Sequence, residues 1–290
     1  MAAPSVAKPL VVVVAYRSDD YLGGALACLD GELDAVVVDN GASPATARLA
    51  GAFGARYLPA PANLGFAAAV NMGLRETWDG VRDVLLLNPD ARVMGRDVVV
   101  LQQALRAHSR LAAVAPRLVD GQGRSQRADW PLPSPGQVWL DALALGRFWR
   151  GRRFVVGAVL LLRAEALAQV GDFDERHFLY AEEADWQLRA QRQGWQVQVI
   201  GSVAATHLGG ASSDDLTVRE RHFYTSSAAF ADRWYGRPGG LVMRWGSIVA
   251  AGRRAVLGPS SSRALNRRVL RLYLRGGLRE AATRERGGAR

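Results

Sequence analysis

An aspartate on the turn after an apolar strand is a place to hold a cation, and Asp90 is such a residue, since Val84-Leu85-Leu86-Leu87 runs into Asn88-Pro89-Asp90. Mg²⁺ keeps only one or two protein carboxylates and fills its other positions with phosphate oxygens and water, so a single aspartate suffices for a cation that neutralises a diphosphate. The same tripeptide also forms an ordinary Asn-Pro-Asp turn, and alone it does not distinguish the two. Asp39-Asn40-Gly41-Ala42-Ser43 follows another Val-rich run. A carboxylate there can accept hydrogen bonds from a base or ribose while Gly41 lets the backbone approach, and it is equally a tight turn. Asn63-Leu64-Gly65-Phe66 opens a helical pattern whose first amides can face an anion or simply be capped, with Asn71 one or two turns on.

The densest acidic segment is Tyr180-Ala181-Glu182-Glu183-Ala184-Asp185, just before Arg189. A hydroxyl that attacks an electrophilic carbon must lose its proton, and a carboxylate within hydrogen-bond reach is the expected base. At a helix N-terminus such a group tends to stay ionised. A solvated acidic first turn is the bland alternative, with Asp185 and Arg189 as a plain i,i+4 pair. His207, in Thr206-His207-Leu208-Gly209-Gly210, follows an apolar run and either completes a metal shell or serves the structure. As a ligand it would suit Mn²⁺ somewhat better than Mg²⁺.

These residues need elements to carry them. Leu10–Ala15, Ala35–Asp39 and Asp83–Leu87 are short Val/Leu-rich runs that end in turn residues, the pattern of buried parallel strands. Phe66–Arg75 and Asp97–Ala107 are helical patterns between or after them, so the first half reads as an α/β sheet. Ligands in such sheets bind at the carboxyl ends of the strands, which puts Asp39 and Asp90 on one edge. Residues 120–153, with Gly121, Gly123, Pro131, Pro133 and Pro135 among Trp130, Trp139, Phe148 and Trp149, read as a long loop region. Phe154–Leu162 reads as one strand, Glu182–Gln193 as a helix with an acidic start, and Arg219–Tyr235 as another helix.

Hydrophobic residues make up 49% of the 290, which excludes a wholly disordered chain. One cysteine, Cys28, allows no internal disulfide, so a reducing cytoplasm is expected. No secretory signal is expected at the N-terminus, and the apolar runs fall short of the roughly 18–20 residues that span a bilayer. The net charge of +10 sits at one end: thirteen Arg against Glu280 and Glu285 from Arg237 onward leave −1 for residues 1–236. Two domains are therefore expected, 1–236 and a basic amphipathic extension at 237–290. Arg beside Trp245, Leu270, Leu272 and Tyr273 can lie on anionic lipid or stay solvated. No nucleic-acid motif accompanies the arginines, and nucleic acid is not an expected partner.

In their order and context, the motifs closely resemble the family 2 glycosyltransferases of the GT-A fold, in particular the bacterial rhamnosyltransferase-like branch. The resemblance runs from about residue 10 to 235. It is carried by Val14-Ala15-Tyr16, Val38-Asp39-Asn40-Gly41, Asn63-Leu64-Gly65-Phe66 through Asn71, Leu87-Asn88-Pro89-Asp90 and Gly157-Ala158. Gly171-Asp172-Phe173-Asp174-Glu175, Phe178-Leu179-Tyr180-Ala181-Glu182-Glu183-Ala184-Asp185 and His207 continue it. It implies an α/β GT-A fold, a Rossmann-like mixed sheet flanked by helices, followed here by the helical basic extension.

The activity it implies is a metal-dependent inverting sugar transfer. A nucleotide-diphosphate sugar would be held by Ala15, Tyr16, Arg17, Asp39, Asn63, Gly65, Phe66, Asn71, Asn88, Asp90 and Gly157. Asp90 and His207 would hold Mg²⁺ or Mn²⁺, and Glu183, Glu182 and Asp185 would be the catalytic residues, with one acid of the Glu182–Glu183 pair as the base. Glu183 stands where the family usually has its catalytic Asp, and Asn88 where many relatives have the first Asp of Asp-x-Asp. Arg127 and Tyr180 are the acceptor-side residues. The branch implies L-rhamnose from dTDP-rhamnose as donor sugar and a saccharide on a polyprenyl diphosphate, or another saccharide, as acceptor, in cell-wall or polysaccharide synthesis on the inner face of the membrane. The rival readings are a non-catalytic nucleotide-sugar binding module and a nucleic-acid binder using the basic tail.

Overall fold

A computed structural model describes residues 7–209 and 216–275. Gly210 and the end of the basic extension, 276–290, lie outside the described residues. The strands are β1 (Leu10–Ala15), β2 (Ala35–Asp39), β3 (Arg56–Pro59), β4 (Val84–Leu87), β5 (Ala91–Arg92) and β6 (Leu111–Val119). β7 (Ser125–Gln126), β8 (Asp129–Pro131), β9 (Arg153–Val155), β10 (Val159–Leu162) and β11 (Gln196–His207) follow. The helices are α1 (Asp19–Ala27), α2 (Pro44–Ala52), α3 (Phe66–Thr77), α4 (Gly95–Ala107), α5 (Pro135–Ala142), α6 (Ala164–Val170), α7 (Glu182–Arg192), α8 (Leu216–Leu257) and α9 (Ser260–Arg275).

Among the described residues the main sheet has nine strands, in the order β3-β2-β1-β4-β10-β6-β11-β5 with β7 on β6. β1 pairs in parallel with β2 and β4, while β10 runs antiparallel between β4 and β6. The sheet is mixed, as the resemblance implies. All of β1 is buried because helices cover both faces, and its side chains alternate between them. Val11 and Val13 join Leu85, Leu161, Leu22 of α1 and Leu101 of α4 in one core. Val12 and Val14 join Leu86, Leu160, Val70 of α3 and Trp186 of α7 in the other.

Two expectations change. The apolar run at 154–162 is not one strand: β9 ends at Val155 and β10 starts at Val159, with Val156-Gly157-Ala158 between them. The 120–153 region is not only loop, for it contains β7, β8 and α5. Ser134 caps α5 through Oγ, which accepts from the Gln137 amide, and Pro135 occupies the first turn, where its missing N–H costs nothing.

The chain forms two compact units. The first, residues 1–130, 153–178 and 182–214, contains the main sheet. The second, residues 131–152, 179–181 and 215–290, contains α5, α8 and α9. Within it the Trp139 indole donates to the Val242 carbonyl, Tyr235 Oη to Pro133, and Arg253 to the Asp141 and Ala142 carbonyls. α8 breaks at Gly236 (φ 65°), two residues before Pro238; the two units do not divide at 236/237, since α8 lies within the second on both sides of that point. Among the described residues no helix is long and apolar enough to cross a membrane.

Candidate active site

Strand direction assembles one edge. Ala15 lies opposite Asp39 at the ends of β1 and β2, and Leu87 ends β4 one strand away. Because β10 is antiparallel to β4, its start, Val159 opposite Leu87, brings Gly157 to the same edge. β11 runs parallel to β6, so His207 emerges there too, opposite Ala91 of β5. Residues far apart in the chain thus meet where an α/β sheet binds its ligands.

Asp90 and His207 are the tightest of these meetings. His207 Nε2 lies 3.6 Å from Asp90 Oδ1, and Asp90 is only 6% exposed. The backbone fixes the pair, since the Leu208 amide donates to the Asp90 carbonyl at 3.0 Å and Gln126 Nε2 to the His207 carbonyl at 2.9 Å. One imidazole nitrogen and one carboxylate oxygen at this separation fit a single cation bound at about 2.0–2.2 Å to each, and the mixed N,O set suits Mn²⁺. The Asn88 amide donates to Ala158, and its carbonyl accepts from Ala91, so its backbone shapes the turn that presents Asp90.

Asp39 turns its carboxylate largely into its own loop. Oδ1 accepts from the Gly41 amide, and Oδ2 from the Ser43 amide and Tyr57 Oη, at 2.7–2.9 Å. An ionised carboxylate has about four acceptor sites, so capacity for one further donor is left. Beside it, Arg17 adopts φ 49° and its guanidinium lies over the Tyr16 ring.

The turn before α3 is held from both sides. Asn40 donates from Nδ2 to the Gly65 carbonyl and accepts from the Leu64 amide, while Asn63 Oδ1 accepts from the Gly65 amide. The Phe66 amide donates to the Phe178 carbonyl at 2.7 Å, so this amide is used within the fold rather than turned to an anion. Asn71, 1% exposed, donates to the Phe173 carbonyl and Glu175 Oε1 and accepts from the Phe173 amide. These bonds tie residues 173–175 to α3. Neither Asn40 nor Gln126 stood out as a supporting residue in the sequence, since their partners lie 25 and 81 positions away.

The acidic segment opens α7. Tyr180 and Ala181 both take positive φ, 69° and 68°, immediately before Glu182. Two successive non-glycine residues there mark backbone strain, a common companion of functional sites. Glu183 packs its side chain 3.6–3.8 Å from where a Cβ on Gly157 would stand. The Glu182 and Glu183 carboxyls bear on each other, and among the described residues Oε2 of each is buried with no hydrogen-bond partner. Burial first, then the neighbouring Glu183 charge, pushes the Glu182 carboxyl well above the usual range. Burial also raises Glu183, while the hydrogen bond from Glu182 lowers it. Burial thus raises both carboxyls, and each bears on the titration of the other.

Asp185 is fully buried, with Oδ2 accepting from Arg189 Nε at 3.0 Å, the i,i+4 pairing open in the sequence. Arg127 is exposed, donates to the Asp129 carbonyl and lies 3.9 Å over the Trp130 ring. Tyr180 falls in the second unit, where its ring meets Phe223 edge-on.

Residues 10–157 match the family model described as Glycosyl transferase family 2. The chain is 28% identical to an N-acetylglucosaminyl-diphospho-decaprenol L-rhamnosyltransferase of Mycobacterium tuberculosis, over 90% of this chain and 96% of that protein. A low-salt glycan biosynthesis hexosyltransferase of Haloferax volcanii is 23% identical over 68% of this chain and 66% of its own. Among solved structures, a mannosyltransferase of Pyrobaculum calidifontis in complex with GDP-Man and Mn²⁺ superposes with a TM-score of 0.57 at 16% identity, covering 97% of this chain and 87% of that one. Glucosyl-3-phosphoglycerate synthase of Mycobacterium tuberculosis, in complex with Mn²⁺, UDP and glucosyl-3-phosphoglycerate, superposes at 0.53 and 17% identity, covering 78% and 80%. At these identities the structural matches speak for the GT-A fold.

Proposed function

This chain belongs to glycosyl transferase family 2 and is a glycosyltransferase, and from that premise we propose that it transfers L-rhamnose, with inversion, from dTDP-rhamnose to a saccharide carried on a polyprenyl diphosphate. The carrying observation for metal-dependent transfer is the Asp90–His207 pair, 3.6 Å apart on the ligand-binding edge of the sheet. The sugar and the acceptor are read from the mycobacterial rhamnosyltransferase, whose similarity runs along nearly the whole of both chains.

The residues divide the chemistry. Asp39 and the Ala15-Tyr16-Arg17 turn hold the nucleoside, with Asn63, Gly65 and Phe66 shaping the neighbouring wall. Asp90 and His207 hold Mn²⁺ or Mg²⁺, and Asn88 shapes their turn. When bound, the cation neutralises charge growing on the departing diphosphate. The acceptor hydroxyl oxygen bonds to the anomeric carbon on the face opposite the diphosphate. The carbon–oxygen bond to the diphosphate breaks, its electron pair staying on the phosphate oxygen. Glu183 takes the hydroxyl proton: its Oε2 has no hydrogen-bond partner among the described residues, and burial raises its pKa, which makes its carboxylate a better proton acceptor. Arg127 and Tyr180 serve the acceptor.

Residues 1–236 are the transferase domain in this reading, and 237–290 its membrane-facing extension. Leu241, Trp245 and Val249 recur at every fourth position of α8 and are all exposed, 55% and 58% for the first two, beside Arg237 and Arg244. An apolar stripe edged with arginines fits an anionic bilayer surface, where a lipid-linked acceptor resides. The activity is tested by presenting purified protein and Mn²⁺ or Mg²⁺ with a panel of nucleotide sugars, read by thermal stabilisation and nucleotide release. Stabilisation by dTDP-rhamnose is expected. Preference for another donor overturns the sugar, and failure of every donor together with no metal effect overturns the reading.

A further inference from the structure

His177 is 2% exposed, and among the described residues neither ring nitrogen has a hydrogen-bond partner. Such a ring is uncommon, because a buried polar group left unsatisfied costs roughly 1–3 kcal/mol. Its surroundings are not apolar: one ligand atom each from Asp174, His177 and Asp185 lie within 4.8 Å of one another. Three groups that can each donate an electron pair therefore converge in a buried place. A neutral imidazole brings one N–H and one lone pair, and an aspartate carboxylate brings acceptors only, so lone pairs predominate in the set.

Both carboxylates are already oriented by neighbouring arginines. Arg176 binds Asp174 through both oxygens, at 2.7–3.0 Å, and Arg189 Nε binds Asp185 Oδ2 at 3.0 Å. Arg189 is itself anchored to the Val170 and Asp172 carbonyls. Hydrogen bonds of this kind hold metal-binding carboxylates in place elsewhere. Ligand atoms around one tetrahedral ion stand about 3.3 Å apart when each bond is about 2.0–2.1 Å, so closure from 4.8 Å requires side-chain rotation of modest size.

We propose that Asp174, His177 and Asp185 bind a divalent transition-metal cation, Zn²⁺ or Mn²⁺, at a second site separate from Asp90 and His207. One nitrogen with two carboxylate oxygens is a ligand set for these ions rather than for Ca²⁺. The two guanidiniums weaken the site electrostatically, so it fills at elevated metal concentration rather than trace levels. A cation there ties the 171–178 segment to the first turn of α7, which carries Glu182 and Glu183.

Binding is read without any sugar donor, so its failure is separable from failure of the transferase reading. The full chain with Asp90→Ala and His207→Ala is dialysed to equilibrium against buffer containing Zn²⁺, and assayed for zinc retained in excess of the dialysate and for melting temperature. About one zinc per chain and a raised melting temperature are expected, with Asp174→Asn and His177→Phe each returning both to background. Because His177→Phe removes a buried side chain, folding of each variant is checked by circular dichroism, and Asp174→Asn alone decides if His177→Phe does not fold. No retained zinc, or zinc unchanged by Asp174→Asn, overturns the proposal. A stability difference between the parent and His177→Phe that varies between about pH 5 and 8 but not with Zn²⁺ overturns it as well, and identifies a proton as the shared cation.

Discussion

The Phe178 carbonyl accepts the Phe66 amide, and it sits where a Cβ on Gly65 would have to go. Gly65 also adopts φ 81°, a conformation that L side chains rarely take. One close backbone contact thus joins the turn before α3, on the nucleotide side of the proposed site, to the segment that runs into the acidic pair on α7. Asn71 reinforces the same junction from the next turns of α3 through Phe173 and Glu175.

Gly65→Ala is expected to destabilise the protein by about 1–3 kcal/mol, the scale of forced backbone strain, and to weaken donor binding with it. Urea denaturation measures the first effect. A variant as stable as the parent sinks the idea that this contact is tight.

Asp90→Asn and His207→Ala each remove a proposed ligand. Charge stabilisation by a bound cation amounts to several kcal/mol, so transfer should fall by about 100-fold or more, and the Mn²⁺ concentration giving half-maximal rate should rise. Titrating the rate with Mn²⁺ tests this, and an unchanged metal dependence in both variants removes them from the metal site.

Glu183→Gln keeps the side chain's size and takes away its basicity. Transfer should drop by about 10²–10⁴-fold while donor binding, followed by thermal stabilisation, persists. If donor binding disappears as well, Glu183 is a structural or donor-side residue instead of the base.

The acidic pair also predicts the pH profile. A base must be ionised, so the rate falls as pH drops through the raised Glu183 pKa. Glu182 lowers that pKa by donating a hydrogen bond. Glu182→Ala should therefore move the acidic limb of kcat to higher pH, and Glu182→Gln, whose amide can still donate, should move it less. Stability follows the opposite sign from an ordinary salt-bridged carboxylate. A folded-state pKa raised above the unfolded value makes ionisation cost stability as pH rises, so Glu182→Gln should raise the melting temperature at pH 8 more than at pH 4.5. Equal shifts at both values contradict a proton held on Glu182.

Truncation after residue 236 should abolish flotation of the protein with anionic vesicles, and Trp245→Ala with Leu241→Ala should reduce it. Equal recovery of the full and truncated chains removes the membrane role from the extension.

The parallel part of the sheet was legible because strands buried on both faces are apolar throughout, and β1, β2 and β4 show that pattern within a few residues of their observed ends. The site was legible only as motifs in order. Asn-Pro-Asp and Asp-Asn-Gly are turns in themselves, and their meaning came from recurring together with the acidic segment and His207. The break between β9 and β10 was hidden, because Val155-Val156-Gly157-Ala158-Val159 is apolar without interruption. The Ser134-Pro135 start of α5 was a usable signal, obscured by the density of Gly, Pro and Trp around it.

Local pattern and motif order thus determine from the sequence alone that this is an α/β chain of the GT-A kind, with acids and a histidine available for metal and base chemistry. Tertiary structure decided which of them face one another. His207 stands 3.6 Å from Asp90 only because β11 runs parallel to β6 and carries its last residue to the edge where β4 ends. The bonds of Asn71 to Phe173 and Glu175 could not be read locally, because these partners lie 102 and 104 residues away. The burial that raises the Glu182 and Glu183 carboxyls is likewise imposed by the fold, and adjacent identical residues cannot express it in sequence.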